Sequence, residues 1–355
     1  MTGISASKGF IVGLLLLAAG VSVLFAQSAG AGKEAALKEG VRAVHLMDDW
    51  MRDPYIVLAP DGHYYLSATR PINAFPGGMP SIQLYRSSNL HDWEDLGVLW
   101  KAIDTDWGLR LIEEGKNQNK AANIWAPEMH FINGRWVIVN LSAVGMTNLM
   151  ITEGEALKAP FYEPFDVGKK PDPSIFTDDD GSNWLVFGFN AVYIQKIKPC
   201  FSGFDGERIE IGPSNRKLGH EGCQIIKIGG KYVLLGTAWS TDVMRRGTYN
   251  LYYCTADNLA GPYGPRKFAG RYLGHGTMFK DKDGKWRCTA FYNADRPALT
   301  PEEAKLKKLD DAAYTINKQG LTIVPMDVQV IDGDVLIRAV DPDYAYPGAE
   351  EVQKF

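Results

Sequence analysis

Apolar residues along this chain fall in short, aromatic-rich runs closed off by glycine turns, not in the three-and-four spacing of a helix face. The clearest runs begin at Tyr64, Trp136, Trp184, Tyr232 and Trp286, and each follows a turn glycine: Gly62, Gly134, Gly181, Gly230 and Gly284. The residue before each glycine is Asp, Asn or Gly, the chemistry of tight turns between twisted strands. Each unit therefore predicts a β-hairpin. The glycines lie 72, 47, 49 and 54 residues apart. A period near 50 suits one four-stranded propeller blade. The pattern predicts an all-β chain folded as a five-bladed β-propeller in a single domain. The long first interval holds an extra stretch, 101–120, expected as an insertion loop, and two further strands in 321–340 are expected to complete or close the ring.

Nine residues before each turn glycine stands a chemically distinctive side chain: Asp53, Trp125, Asp172, Glu221 and His275. If the blades are equivalent, these positions begin inner strands and converge at one mouth of the channel. The plain alternative is that Asp-Pro and Glu-Gly are only strand-entry turns. That alternative accounts for the glycines but leaves three acids among five positions unexplained.

Composition changes the picture little. The chain is 45% hydrophobic and 23% charged with a net charge of -4, so neither nucleic acid nor an anionic membrane is an expected partner. The N-terminus does matter. Lys8 followed by the apolar segment Phe10 to Phe25 and small residues from Ala26 predicts a signal peptide over 1–26, with an uncleaved anchor as the alternative. A periplasmic or secreted location follows. Residues 27–43 look like a short leader, leaving 44–355 as the propeller. The four cysteines show neither a disulfide framework nor metal-ligand spacing, and free thiols are expected.

Paired carboxyls held about 6.5–9.5 Å apart are the machinery of inverting glycosidases, one activating a water and the other protonating the leaving oxygen. A third carboxyl nearby tunes the acid by like-charge repulsion. Several segments resemble glycoside hydrolase family 43 and its five-bladed relatives. They are Arg52-Asp53-Pro54, Trp125-Ala126-Pro127-Glu128, Asp172 to Gly181, Glu221-Gly222, Ala260 to Tyr263 and Gly274-His275-Gly276, in the family's order over roughly residues 44–295. Cys223 departs from the family's Glu-Gly-Pro. The resemblance implies Asp53 as general base, Asp172 as modulator and orienter, and Glu221 as general acid. It also implies a calcium or sodium ion near an axial His275, held largely through water. In the neoagarooligosaccharide hydrolases, another five-bladed family, a histidine is the acid, so His220 or His275 is the alternative donor. Trp125 is the expected sugar platform. Glu128, His220 and His275 are further candidates for contacting substrate, and Trp50, Phe75, Trp107 and Trp239 fall near blade mouths. The expected substrate is an oligosaccharide or polysaccharide of plant or algal origin, such as an arabinofuranoside, xyloside or galactoside. A non-catalytic carbohydrate-binding propeller is the competing class. A pocket walled by 101–120 would point to exo action.

Overall fold

The computed structural model describes residues 32–294, 299–306 and 312–355. The expected signal segment lies outside them. Five sheets account for the strands of the described residues, antiparallel throughout except where Ala313–Tyr314 pairs in parallel with Gly247–Ala256. Blade one runs Arg52–Leu58, Tyr64–Thr69, Ser81–Ser87, Glu94–Lys101, and blade two Ile124–Ile132, Arg135–Ser142, Thr147–Thr152, Phe161–Tyr162. Blade three runs Ser174–Thr177, Asn183–Phe187, Val192–Ile197, Phe204–Ile211, and blade four Glu221–Ile228, Lys231–Trp239, Gly247–Ala256, Lys267–Gly270. Blade five takes Met278–Lys280, Trp286–Ala290 and Leu321–Ile331, then borrows its outer strand, Val44–Met47, from the other end of the chain. Val44 pairs with Ile323, so the two ends are tied within one sheet. Closure thus needs the N-terminal strand as well as the tail. Asp334–Ala339 extends the tail strand rather than adding to the ring.

The packing proves the circular order. Five apolar clusters each join two neighbouring blades: one to two, two to three, three to four, four to five, and five back to one. Successive residues of one strand point to opposite faces. In blade two, Trp136 and Ile138 therefore pack toward blade one, while Val137 and Val139 pack toward blade three. A strand buried on both faces must be apolar throughout, which is why the runs are continuous rather than alternating. Cys223, Cys254 and Cys288 are buried free thiols and Cys200 is exposed and free.

Two segments differ from expectation or add to it. The stretch after blade one is a helix, Asp106–Asn117, not a loop. Thr105 caps it by accepting from Gly108 N at 3.3 Å, and Trp107, Leu111 and Gly115 form its buried stripe at a spacing of four. The cap and the stripe are both local features of the sequence, set among strand-like segments. Residues 32–39, within the expected leader, are also helical, and Leu37 packs into the cluster between blades five and one.

Candidate active site

Each blade presents its chemistry from a kink at the start of the inner strand. Pairing slips by one residue between Arg52 and Tyr55, Trp125 and Glu128, and Glu221 and Gln224. Five residues have left-handed backbone there: Asp53 (φ 52°), Ala126 (43°), Asp172 (52°), Gly222 (65°) and His275 (57°). For a residue with a Cβ this conformation costs about 1–3 kcal/mol, and such strain concentrates where a bulge re-aims a side chain. The hairpins explain the constant spacing in the sequence. Blades two and four use two-residue turns, with Ile132 opposite Arg135 and Ile228 opposite Lys231. Blades one, three and five use loops one residue longer, closed by Ala59 N to His63 O, Asp178 N to Ser182 O and Asp281 N to Lys285 O. Counting back nine residues therefore reaches the bulge itself in Asp53, Asp172 and His275. In blades two and four it reaches the residue before the bulge, Trp125 and Glu221, the position that Arg52 holds in blade one.

These side chains do converge. A cavity of about 370 Å³ is lined by Asp53, Trp125, Asp172, His220, Glu221 and His275, six of the seven expected site residues. Glu128 is not in its lining. Its carboxylate faces His130 Nε2 at 3.1 Å, and His130 Nδ1 meets the Tyr55 hydroxyl at 3.1 Å. Trp50 and Trp239 line the cavity, whereas Phe75 is buried and Trp107 is in the core with its indole N–H donating to Thr147 O at 3.0 Å. The helix Asp106–Asn117 packs on blades one and two and contributes nothing to the lining, so it does not wall this cavity.

His275 sits between two of the acids, with Nδ1 3.2 Å from Asp53 Oδ1 and Nε2 3.6 Å from Asp172 Oδ2. Burial pulls its pKa down, but Asp172, Asp53, Glu221 and Glu128 together lift it to about 9. The ring is an imidazolium at neutral pH. Among the described residues no group of three or more His, Cys, Asp or Glu side chains is arranged to hold a metal ion, so a calcium or sodium ion near His275 would depend largely on water for its ligands. Asp172 is raised to about 6, first by burial and then by the charges of Glu221 and Asp53, against the opposing pull of His275 and the Gly222 N–H. Gly222 is required here. A Cβ on it would lie 2.9 Å from the His275 ring, and its N–H donates to Asp172 Oδ2.

The sign of the pH effect on stability follows. The folded-state pKa of His275 lies above its ordinary 6.5, so its stabilising contribution is full below pH 6.5 and is lost as pH rises through about 9. The midpoint of urea unfolding is expected to fall between pH 6.5 and 9, and a His275→Gln chain is expected to lose that slope.

Asp53 is oriented by Thr69, whose hydroxyl donates to Oδ2 at 2.8 Å while accepting from Ala126 N at 2.7 Å. Glu221 is held differently. The Tyr249 hydroxyl donates to Oε1 at 2.7 Å, and Thr237 Oγ1 lies 2.9 Å from that hydroxyl and 2.7 Å from Glu221 O. Tyr249 is buried and stacks on Trp239 at 4.6 Å, and burial with the Glu221 charge holds its phenol well above the ordinary value, so it stays a donor. A Cβ on Gly274 would strike the Tyr249 ring at 2.1 Å, which makes that glycine part of the same support. Tyr249→Phe is expected to lower kcat about tenfold with little change in KM, because the Glu221 carboxyl stays in the cavity but loses the donor that orients it. Steady-state kinetics separates the two.

The family model for glycosyl hydrolases family 43 matches residues 47–310. The chain belongs to glycosyl hydrolase family 43. Among curated relatives, a xylan 1,3-beta-xylosidase of Vibrio sp. is 25% identical over 232 residues, covering 59% of this chain and 40% of that protein. A xylosidase/arabinosidase 43B of Humicola insolens is 24% identical over 263 residues, covering 66% and 46%. This chain therefore spans less than half the length of these two relatives. The solved GH43_1 enzyme from Xanthomonas citri superposes with a TM-score of 0.59 at 17% identity, covering 89% of this chain and 99% of that one, which shows the shared fold.

Within this family 43 site the sequence reading missed Thr69, Thr237, Tyr249 and Phe189. Thr69 and Thr237 are the cross-strand partners of Arg52 and Glu221, so the bulge register alone locates them. Tyr249 reads as one more aromatic of an apolar strand, and only the pairing of three strands within blade four brings its hydroxyl to Glu221.

Proposed function

We propose that this chain is an exported inverting glycoside hydrolase acting on plant polysaccharides or their oligosaccharides. Asp53 is the general base, Glu221 the general acid, and Asp172 the group that orients and tunes the acid. The observation that carries this reading is the gathering of three separately supported carboxyls on one cavity, at the blade positions where the family motifs fall. Water activated by Asp53 attacks the anomeric carbon while Glu221 delivers its proton to the departing oxygen, and the anomer inverts. The imidazolium of His275 lies beside Asp53 and Asp172, and its charge opposes the burial that raises Asp172. The names of the relatives point to β-xylosides and α-L-arabinosides as first substrates.

The histidine-acid alternative is less favoured. His220 is held below its ordinary pKa, chiefly by burial, so it carries little of its acidic form at neutral pH. His275 is clamped between two carboxylates. Proton NMR of the first product from a panel of xylosides, arabinofuranosides and galactosides tests the proposal. Product appearing with inverted anomeric configuration is expected. Retention, or binding without turnover, sinks it.

A further inference from the structure

The catalytic cavity does not end at its aromatic rim. Trp125, Leu141 and Phe189 also line a second groove of about 380 Å³. Trp125 is 41% exposed and Phe189 44%, so both rings offer open surface where the two spaces meet. The character of the two differs. Three acids line the first cavity. The lining of the second includes two ammonium groups, Lys120 and Lys169, and no carboxylate. Lys120 follows the helical insertion and Lys169 precedes Asp172 by three residues, so the two connections that flank blade two supply them. Both are exposed, and neither side chain has an ion pair or hydrogen bond among the described residues. On a chain whose net charge is -4, an acid-free groove bearing two unpaired cations and continuous with the active site marks a preference for negative charge.

We infer that this groove is a subsite for a uronic acid residue of the substrate, its ring against Trp125 and Phe189 and its carboxylate between Lys120 and Lys169. A uronic acid fits best because its carboxylate replaces the hydroxymethyl group of a pyranose, adding charge without adding bulk. Aromatic faces carry the ring, and the flexible lysines supply donors. The inference rests on the glycosidase reading for the first cavity but is tested apart from it.

Calorimetry on the full chain carrying Asp53→Asn, which prevents turnover, would compare three probes: xylotriose, xylotriose bearing one glucuronic acid, and a sulfated xylotriose. The uronate probe is expected to bind about tenfold more tightly than the neutral one at low salt, the yield of two modest charge contacts. The ratio is expected to collapse toward one when Lys120→Ala and Lys169→Ala are added, and to shrink as salt is raised. A ratio near one in the parent chain overturns the inference, as does a ratio that survives both lysine changes. Tighter binding of the sulfated probe overturns the uronate assignment. Turnover of neutral aryl glycosides by the unaltered chain reports on the glycosidase reading separately.

Discussion

Asp53→Asn is expected to lower kcat by about 10³-fold with the fold intact. Asparagine has nearly the same volume and tolerates the left-handed backbone that Asp53 adopts. It keeps an oxygen to accept from the Thr69 hydroxyl, as Asp53 Oδ2 does now. What it loses is the negative charge that takes a proton from water. The loss should appear in turnover on every substrate, whatever its leaving group, because activating the nucleophile is common to all. Circular dichroism and a thermal scan confirm folding. A variant that keeps more than about a tenth of the wild-type kcat removes Asp53 as the base, since general-base catalysis contributes at least about 10²-fold.

Glu221→Gln is expected to act in a way that depends on the leaving group. A sugar alcohol needs a proton as it departs, so natural oligosaccharides should lose about 10³-fold in kcat/KM. A dinitrophenol departs as a stable anion, so its glycoside should lose about tenfold or less. Glutamine preserves the side-chain oxygen that accepts from Tyr249, which limits disturbance of the support. Parallel His220→Ala and His275→Ala chains make the comparison decisive. If the leaving-group dependence appears at a histidine instead, the proton donor is that histidine. A uniform loss at Glu221 across leaving groups would assign it to binding or orientation.

Both variants bear on how much of the site could be read from residues alone. Asp53 and Asp172 announce themselves through Asp-Pro at the head of a strand, and the left-handed φ at each is the kink that re-aims its side chain. The support of Glu221 leaves no such trace. Tyr249 and Thr237 look like members of buried strands, and the hydroxyl-to-carboxyl contact spans 28 residues. Glu128 shows the converse. Its motif is clear, yet the bulge at Ala126 turns the strand so that this carboxylate meets His130 outside the cavity lining.

The helix Asp106–Asn117 stands where a loop is expected because its amphipathic stripe is short and is set among strand-like segments. Its cap and spacing are local and were present. The missing element of ring closure was different in kind. Nothing in Val44–Met47 distinguishes an outer strand of blade five from a strand of blade one, and pairing with a segment some 280 residues away depends on the whole ring being built.

By itself, then, the chain's pattern determined the number of blades, their hairpins, and which blades carry acids, because turn chemistry and side-chain alternation act over a few residues. Tertiary structure alone decided which side of each bulge faces the cavity. It also decided that His275 is clamped between Asp53 and Asp172, and that an acid-free groove continues past Trp125. Those features arise from groups on different blades, and their separations are set only when five interblade cores pack into a closed ring.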